Sequence, residues 1–358
     1  MKYKSFILYV VLFATMSTAC RKGNSRGNQA PPPPEKKVTV STFAGDGTAA
    51  YLDGPLLSAK FSTPMDVAIS DDGILYVADY NGHRIRKISG GQVSVLAGDG
   101  HFGSRNGAGD TAQFVDPYRI EVDPGGNVYE LDQADFRVRR ITPSGVVSTY
   151  AGTGVFGFKN GDATVAQFAD NMGGIAIGTD RSVYIDDTFN GRIRKISAAG
   201  QVSTFAGKEA KGFVDGDTSV AEFLNPNGIL FDKQGNMYVA DNGNYCIRKI
   251  TPTGIVSRFT GMGTQGMADG AAGTAQFQSI YDMVIDKDGN LLLGDGARIR
   301  KVSPAGEVST IAGSTTGYAD GDGPTAQFNY PAGLAIDAEG NLYVADAWNN
   351  RIRKISFK

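Results

Sequence analysis

The chain has 358 residues, of which 41% are hydrophobic and 20% charged, a globular balance with length enough for a large buried core. Lys and Arg total 35 against 37 for Asp and Glu, so no basic excess points to nucleic acid, and none is expected as a partner. Only two cysteines and two histidines are present, which leaves no disulfide framework and little material for a zinc site.

Lys2 and Lys4 precede an apolar run, FILYVVLFATM at residues 6–16, followed by STA and Cys20. The run is short for a membrane span and ends in small residues, so residues 1–19 read as a signal peptide. A cysteine directly after small residues resembles a bacterial lipobox, although Ser17 stands where that motif has an aliphatic residue. The resemblance implies a lipidated Cys20 and export to the bacterial cell envelope, anchored in a membrane, with the outer membrane expected. Removing residues 1–19 takes away two lysines and no acids, leaving a net charge of −4. Residues 20–37 contain RKGNSRGNQAPPPPEKK, too polar and Pro-rich to pack, and read as an extended tether. Cys246 has no cysteine left to pair with.

From residue 38 onward the chain repeats. RIRKIS or a relative begins at Arg84, Arg137, Arg192, Cys246, Arg298 and Arg351, at spacings of 53, 55, 54, 52 and 53. A fixed period of this size means a solenoid or a propeller. Each unit holds four short runs rich in Val, Ile, Tyr and Phe, as in MDVAIS, ILYVAD, RIRKIS and VSVLAG of the first. Gly, Asn and Asp punctuate them, which signals strands joined by tight turns. No helical period is sustained after residue 20. The expected fold is all-β: a six-bladed β-propeller of four-stranded antiparallel blades over 38–358. The blades fall at about 61–98, 114–152, 168–207, 223–261, 277–313 and 328–357.

The word VSTFAG, which closes the other blades as a fourth strand, also opens the repeat region at Val40, while the last blade stops after its third strand. Residues 38–44 are therefore expected to lie antiparallel to the final RIRKIS, closing the ring and removing a free edge.

DYNGHRIRKI at residues 79–88 and GNLYVADAWNNRIRKI at residues 340–355 resemble the NHL-repeat propellers. The resemblance recurs in register through all six units and implies the six-bladed fold. It implies no single activity, since such propellers serve as binding proteins, adhesion ectodomains, RNA-binding modules and a zinc-dependent amidating lyase. The lyase needs several histidines; His83 and His101 lie in adjacent loops of one blade region.

The first-to-second and third-to-fourth turns are tight, while the links between blades are long, as from Gly98 to Phe114. All elaboration thus falls on one face, where binding sites on rigid scaffolds usually sit. Each link carries Asp-Gly or Asn-Gly at Asp53, Asn106, Asn160, Asp215, Asp269 and Asp320, with Phe seven residues after the Gly. One carboxylate per turn, replaced by Asn twice, suits a turn followed by a Phe wedge better than a ring of calcium ions. The sixfold Asp of the VAD word (Asp79, Asp132, Asp187, Asp241, Asp295, Asp346) is expected to accept backbone N–H groups or to pair with RIRK arginines.

A site of chemistry should break the sixfold pattern. The pairs opening each inner strand differ: Met65-Asp66, Tyr118-Arg119, Met172-Gly173, Asn227-Gly228, Tyr281-Asp282 and Ala332-Gly333. Second-to-third loops add Tyr80, Phe136, Phe189, Tyr245 and Trp348, the sole Trp. Ligand contacts are therefore expected from Asp66, Tyr118, Arg119, Asn227, Tyr281, Asp282 and Trp348. The expected function is an exported, membrane-anchored monomer that binds a protein, peptide or glycan on the long-loop face, with no catalytic set. The alternative is a calcium-dependent hydrolase or lactonase, with Asp66, Glu130, Asn227 and Asp282 supplying oxygens to one ion at the channel mouth.

Overall fold

The structure is a computed structural model that describes residues 37–358; the expected signal peptide, Cys20 and most of the expected tether lie outside the described residues. Six antiparallel sheets succeed one another around a ring. In blade one the strands Pro64–Ile69, Leu75–Asp79, Arg84–Ser89 and Gln92–Ala97 run from innermost to outermost. The innermost strands of blades two to six are Pro117–Val122, Met172–Ile177, Pro226–Phe231, Ile280–Ile285 and Pro331–Ile336. Each abuts the next, and the sixth returns to the first.

The ring closes as the repeat pattern demands. Val38–Ala44 pairs antiparallel with Arg351–Phe357, Val40 opposite Ile355, and becomes the outer strand of blade six. Each incoming link then adds a fragment beyond the outer strand. Gly54–Pro55 pairs with Gln92–Ala97 in this way, and blades three, four and six have similar two-residue strands. In blades two and five a single bridge, Gly107 to Val147 and Gly270 to Val308, does the same.

Local chemistry explains the words. The second strands are buried along their whole length, as in LYVAD, so they carry no polar face. The first-to-second turns are held by an Asp: Asp286 accepts from the Asp288 and Asn290 backbones and from the Asn290 side chain, while Gly289 takes φ +81°. The Ala-Gly ending the outer strand is a close approach. Gly152 has φ +102°, and a Cβ there would stand 2.6 Å from the Phe136 carbonyl. Six apolar clusters fill the gaps between neighbouring blades, and the link phenylalanines, Phe61, Phe114, Phe168, Phe223, Phe277 and Phe328, are buried in them.

A buried arginine fastens each link to its blade. Arg86, the second of RIRK, donates from Nη1 to the Lys60 carbonyl (2.9 Å) and Asp79 Oδ2 (2.9 Å). From Nη2 it donates to the Leu52 carbonyl (3.1 Å) and Asp53 Oδ1 (2.6 Å). Asp79 also accepts the Ser62 N–H at 2.6 Å. The guanidinium lies between the rings of Tyr51 and Phe61, at 4.8 and 5.2 Å. So both repeated acids serve one arginine: the Asp of VAD from below and the Asp of the Asp-Gly turn from the link. Arg139, Arg194, Arg248, Arg300 and Arg353 repeat the arrangement, with Asn106 and Asn160 accepting where the turn has no acid.

Departures from the repeat are locally repaired. The first arginine of RIRK covers the outer side of the link aromatic, as Arg84 does Tyr51 at 3.9 Å. Blade four has Cys246 there, and Arg258 of the outer strand covers Phe213 instead, at 4.4 Å. The Cys246 thiol is buried, and loss of solvation pushes it up to about 12, so it stays protonated. Blade two has Ser104 in place of the aromatic; Ser104 bonds to Asp135, which also pairs with Arg137.

Two stability predictions follow from closure and clamping. Arg86→Ala strands the buried Asp79 carboxylate and should cost about 3–5 kcal/mol in denaturant unfolding; a loss below 1 kcal/mol would show the clamp to be ornamental. Val40→Asp places an unpaired charge in the closing strand and should likewise cost several kcal/mol, on the order of 3. Unfolding monitored by circular dichroism that is indifferent to this change would mean the ring does not depend on that strand.

Candidate functional site

The second-to-third turns and the ends of the long links meet on one face, as when the Tyr80 and Asn81 N–H groups donate to the Thr63 and Ser62 carbonyls. The central channel opens between them. The register shows which residues ring its mouth. Met172 stands opposite Asp187 as Pro64 stands opposite Asp79, so the blade-three pair is Gly173-Gly174, one residue later than the sequence pattern suggests. Blade three has no proline at the strand start to mark the register.

Below the mouth, Arg119 is fully enclosed and reaches across the axis. Its Nε donates to the Gly173 carbonyl (3.0 Å), Nη1 to those of Ala332 (2.9 Å) and Met65 (3.3 Å), and Nη2 to that of Tyr281 (2.5 Å). One side chain of blade two thereby ties blades one, three, five and six. Three carboxyls of alternate blades surround it, each accepting a backbone N–H of the following blade. Asp66 Oδ2 takes that of Ile120, Asp186 Oδ2 that of Gly228 and Asp282 Oδ2 that of Leu334, at 2.8, 2.7 and 2.8 Å. Asp186 comes from the second strand and fills the space that Gly174 leaves, since a Cβ on Gly174 would stand 2.6 Å from its Oδ2.

Burial pushes the Asp66 carboxyl well above its ordinary range, reinforced by Asp282 and opposed by Arg119. Asp186 and Asp282 are raised too, again by burial first. Arg119 stays charged: the neighbouring Tyr118, Asp66 and Asp282 outweigh the cost of burying it. Asp66, Arg119 and Asp282 thus form the floor beneath the mouth, while Tyr118, Asn227, Tyr281 and Trp348 line it.

The proposed calcium donors do not converge. Asp66 and Asp282 are committed to backbone N–H groups, and Glu130 lies between blades, at the position filled by Val77, Ile185, Val239, Leu293 and Val344 elsewhere. Among the described residues no group of three or more His, Cys, Asp or Glu is arranged to hold a metal ion. The donor set therefore does not fit a calcium ion. Glu130 is fully buried with neither carboxyl oxygen hydrogen-bonded, and burial raises it well above 4.5. His83 is structural, its Nδ1 2.7 Å from the Val115 carbonyl, and exposed His101 pairs with Asp99.

The mouth carries an aromatic shelf. Tyr281 and Tyr330 lie 4.2 Å apart between centroids, and Trp348 stacks on Tyr330 at 4.9 Å with 14° between planes. Trp348 remains 62% exposed. Tyr118 and Tyr80 continue the surface, 6.4 Å apart, around Met65 and Ala332. Sequence reasoning missed Tyr330. Its signal was a large aromatic just before the inner strand, where other blades have Thr63, Asp116, Asn171, Asn225 and Ser279. Tyr330 has φ +66°, a left-handed backbone that a bulky side chain seldom adopts. Of the loop aromatics, Phe136 packs on Phe156 and Phe189 lies under Lys211. Two cavities of about 120 and 540 Å³ lie elsewhere, on the tight-turn face between blades six and one and between blades three and four.

This is a six-bladed propeller whose chemistry is concentrated at one end of its axis. The NHL repeat model matches residues 61–88 and 328–355, within the first and last blades of this β-propeller. A Bacteroides thetaiotaomicron protein of unknown function has the same fold, with a TM-score of 0.70 at 22% identity, over 90% of this chain and 77% of that one. An auxiliary nutrient binding protein of the same organism gives 0.69 at 18%, again over 90% and 77%. Among curated proteins, SUPPRESSOR OF QUENCHING 1 of Arabidopsis thaliana is 28% identical over 72% of this chain, and human Teneurin-4 is 27% identical over 93%. The chain spans only 26% and 14% of those two proteins.

Glu130 yields a prediction with a pH sign. A carboxyl whose folded pKa is raised stabilises the fold at low pH and loses that contribution as pH rises from about 4.5 through the folded value. Glu130→Val, restoring the residue type of the other blades, should therefore raise the melting temperature at pH 7–8, by about 1–3 kcal/mol in stability. The gain should shrink toward pH 4. A gain constant across that range would mean Glu130 does not change its protonation there.

Proposed function

We propose that this protein is a binding propeller that takes its ligand at the channel mouth of the long-loop face. The observation that carries this is the Tyr281–Tyr330–Trp348 shelf, built from three elements of two blades, with Trp348 exposed at its outer end. It stands where the sixfold pattern breaks, over a floor that Arg119 makes rigid. Similarity in fold to a nutrient-binding protein supports the same reading. The N-terminal pattern supports export and a lipid anchor at Cys20, which would hold the propeller at the bacterial envelope, in the outer membrane, on a Pro-rich tether. Mass spectrometry of the membrane fraction of the producing cell would detect the lipidated Cys20 peptide, and an unmodified soluble form would remove the anchor.

The mouth is tested with a triple variant, Tyr281→Ala/Tyr330→Ala/Trp348→Ala, compared with the wild-type protein on arrays of glycans and peptides. Ligands captured by the wild type should lose at least tenfold in affinity, roughly 1.4 kcal/mol or more, while circular dichroism shows the propeller intact. Undiminished capture by the variant would place the binding surface elsewhere.

A further inference from the structure

The two halves of the mouth differ in chemistry. Ring order puts blades three and four across the axis from blades six and one. The aromatic half, from blades five, six and one, carries Tyr281, Tyr330, Trp348 and Tyr80. The opposite half carries amides: Asn171 before the inner strand of blade three, and Asn225 and Asn227 at that of blade four. Asn171 is fixed by a 2.7 Å bond from Gln133. Asn227 donates to the Ile280 carbonyl at 3.3 Å, but its Oδ1 is enclosed and has no partner. A buried amide oxygen left without a donor is uncommon and costly. Gly173 packs against it, since a Cβ there would collide with that oxygen.

Charge narrows the ligand. Arg119, enclosed beneath the mouth, commits its guanidinium to four carbonyls. Two acids, half-buried Asp116 and exposed Asp170, lie close enough to Tyr80 to act on it. Tyr80 itself is pushed up to about 12, first by burial, and Tyr281 and Tyr330 are raised by burial as well, so the phenols stay neutral donors. Beside Tyr80 these acids disfavour an anion, which would have to be desolvated against them.

We infer that the mouth recognises a neutral saccharide, one sugar ring lying on the exposed indole of Trp348 and its hydroxyls reaching the amide wall of Asn171, Asn225 and Asn227. This rests on the binding reading above. Sugar rings present C–H groups on a face and hydroxyls on the edge, which is the division between aromatic and amide that the mouth shows.

Trp348 is the only tryptophan in the chain, so its fluorescence reports this site alone. The purified protein is titrated with neutral cello-, xylo-, manno- and malto-hexaose, with oligogalacturonate of the same length, and with tyrosine- and proline-rich peptides. At least one neutral series should give a saturable change, and oligogalacturonate should bind about tenfold more weakly or not at all. Asn227→Ala, which keeps the reporter, should weaken the neutral sugar by about tenfold with its melting temperature unchanged or raised. A saturable response to peptide or to oligogalacturonate in preference to every neutral sugar overturns the saccharide assignment and leaves the mouth as a binding site. No saturable response to any saccharide overturns it too. A sugar that binds the aromatic triple variant as well as the wild type, measured by calorimetry, would instead sink the mouth itself.

Discussion

Everything in this ring depends on a buried guanidinium fastened both to an acid of its own blade and to the turn of the arriving link. A propeller must keep each blade at a set angle to the next, and apolar contact alone is poor at fixing angles because it has no direction. The Arg86 clamp supplies direction. Its donors lie in a plane and each has a partner at a defined place: one acid on the blade's second strand, one acid and two carbonyls on the link arriving from the previous blade. A buried ion pair adds little net stability compared with an apolar replacement, but it tolerates one geometry. Repeated six times, that selectivity turns a string of similar sheets into a ring of one size. The phenylalanine wedges then supply the burial energy within a frame already set.

Symmetry forces the centre to be different. At the third position of the inner strands, six equal long side chains would meet at one point. One residue can occupy the axis, and Arg119 does; the others are Asp66, Gly174, Gly228, Asp282 and Gly333, short or absent. A buried positive charge on the axis in turn calls for acids around it, and these come from alternate blades, each also capping a backbone group of its neighbour. The result is a rigid floor. Side chains one position nearer the loop face are then free to vary without loosening the ring, and that is where Tyr118, Asn227 and Tyr281 stand.

The repeat was legible because its words recur for reasons that act locally. The Ala-Gly of the outer strand answers a close approach to a carbonyl, the Asp-x-x-Gly-Asn turn satisfies its own backbone, and the closing strand had to be sought at the other end of the chain because blade six lacked one. The same reasoning saw that the Asp of VAD would meet N–H groups or arginine, and both occur. It could not see that the Asp-Gly acid serves the same arginine, since Asp53 and Arg86 are 33 residues apart and meet only once the link crosses the blade edge. Nor could it see Tyr330 as part of a surface, because nothing in one link says which links converge.

The sequence by itself determined the number of blades, their strands, the identity of the face that bears the long loops and the way the ring is sealed. Those follow from spacing, from alternation and from the short-range needs of turns. Only the tertiary structure decided the direction of side chains near the axis: that Arg119 points inward and spends its donors on carbonyls, that Asp66 and Asp282 lie beneath the mouth, and that aromatics and amides divide the opening between them. The axis is a place no single repeat contains. Distances across it are fixed by closure of all six blades, so residues separated by half the chain acquire their neighbours only when the ring is complete.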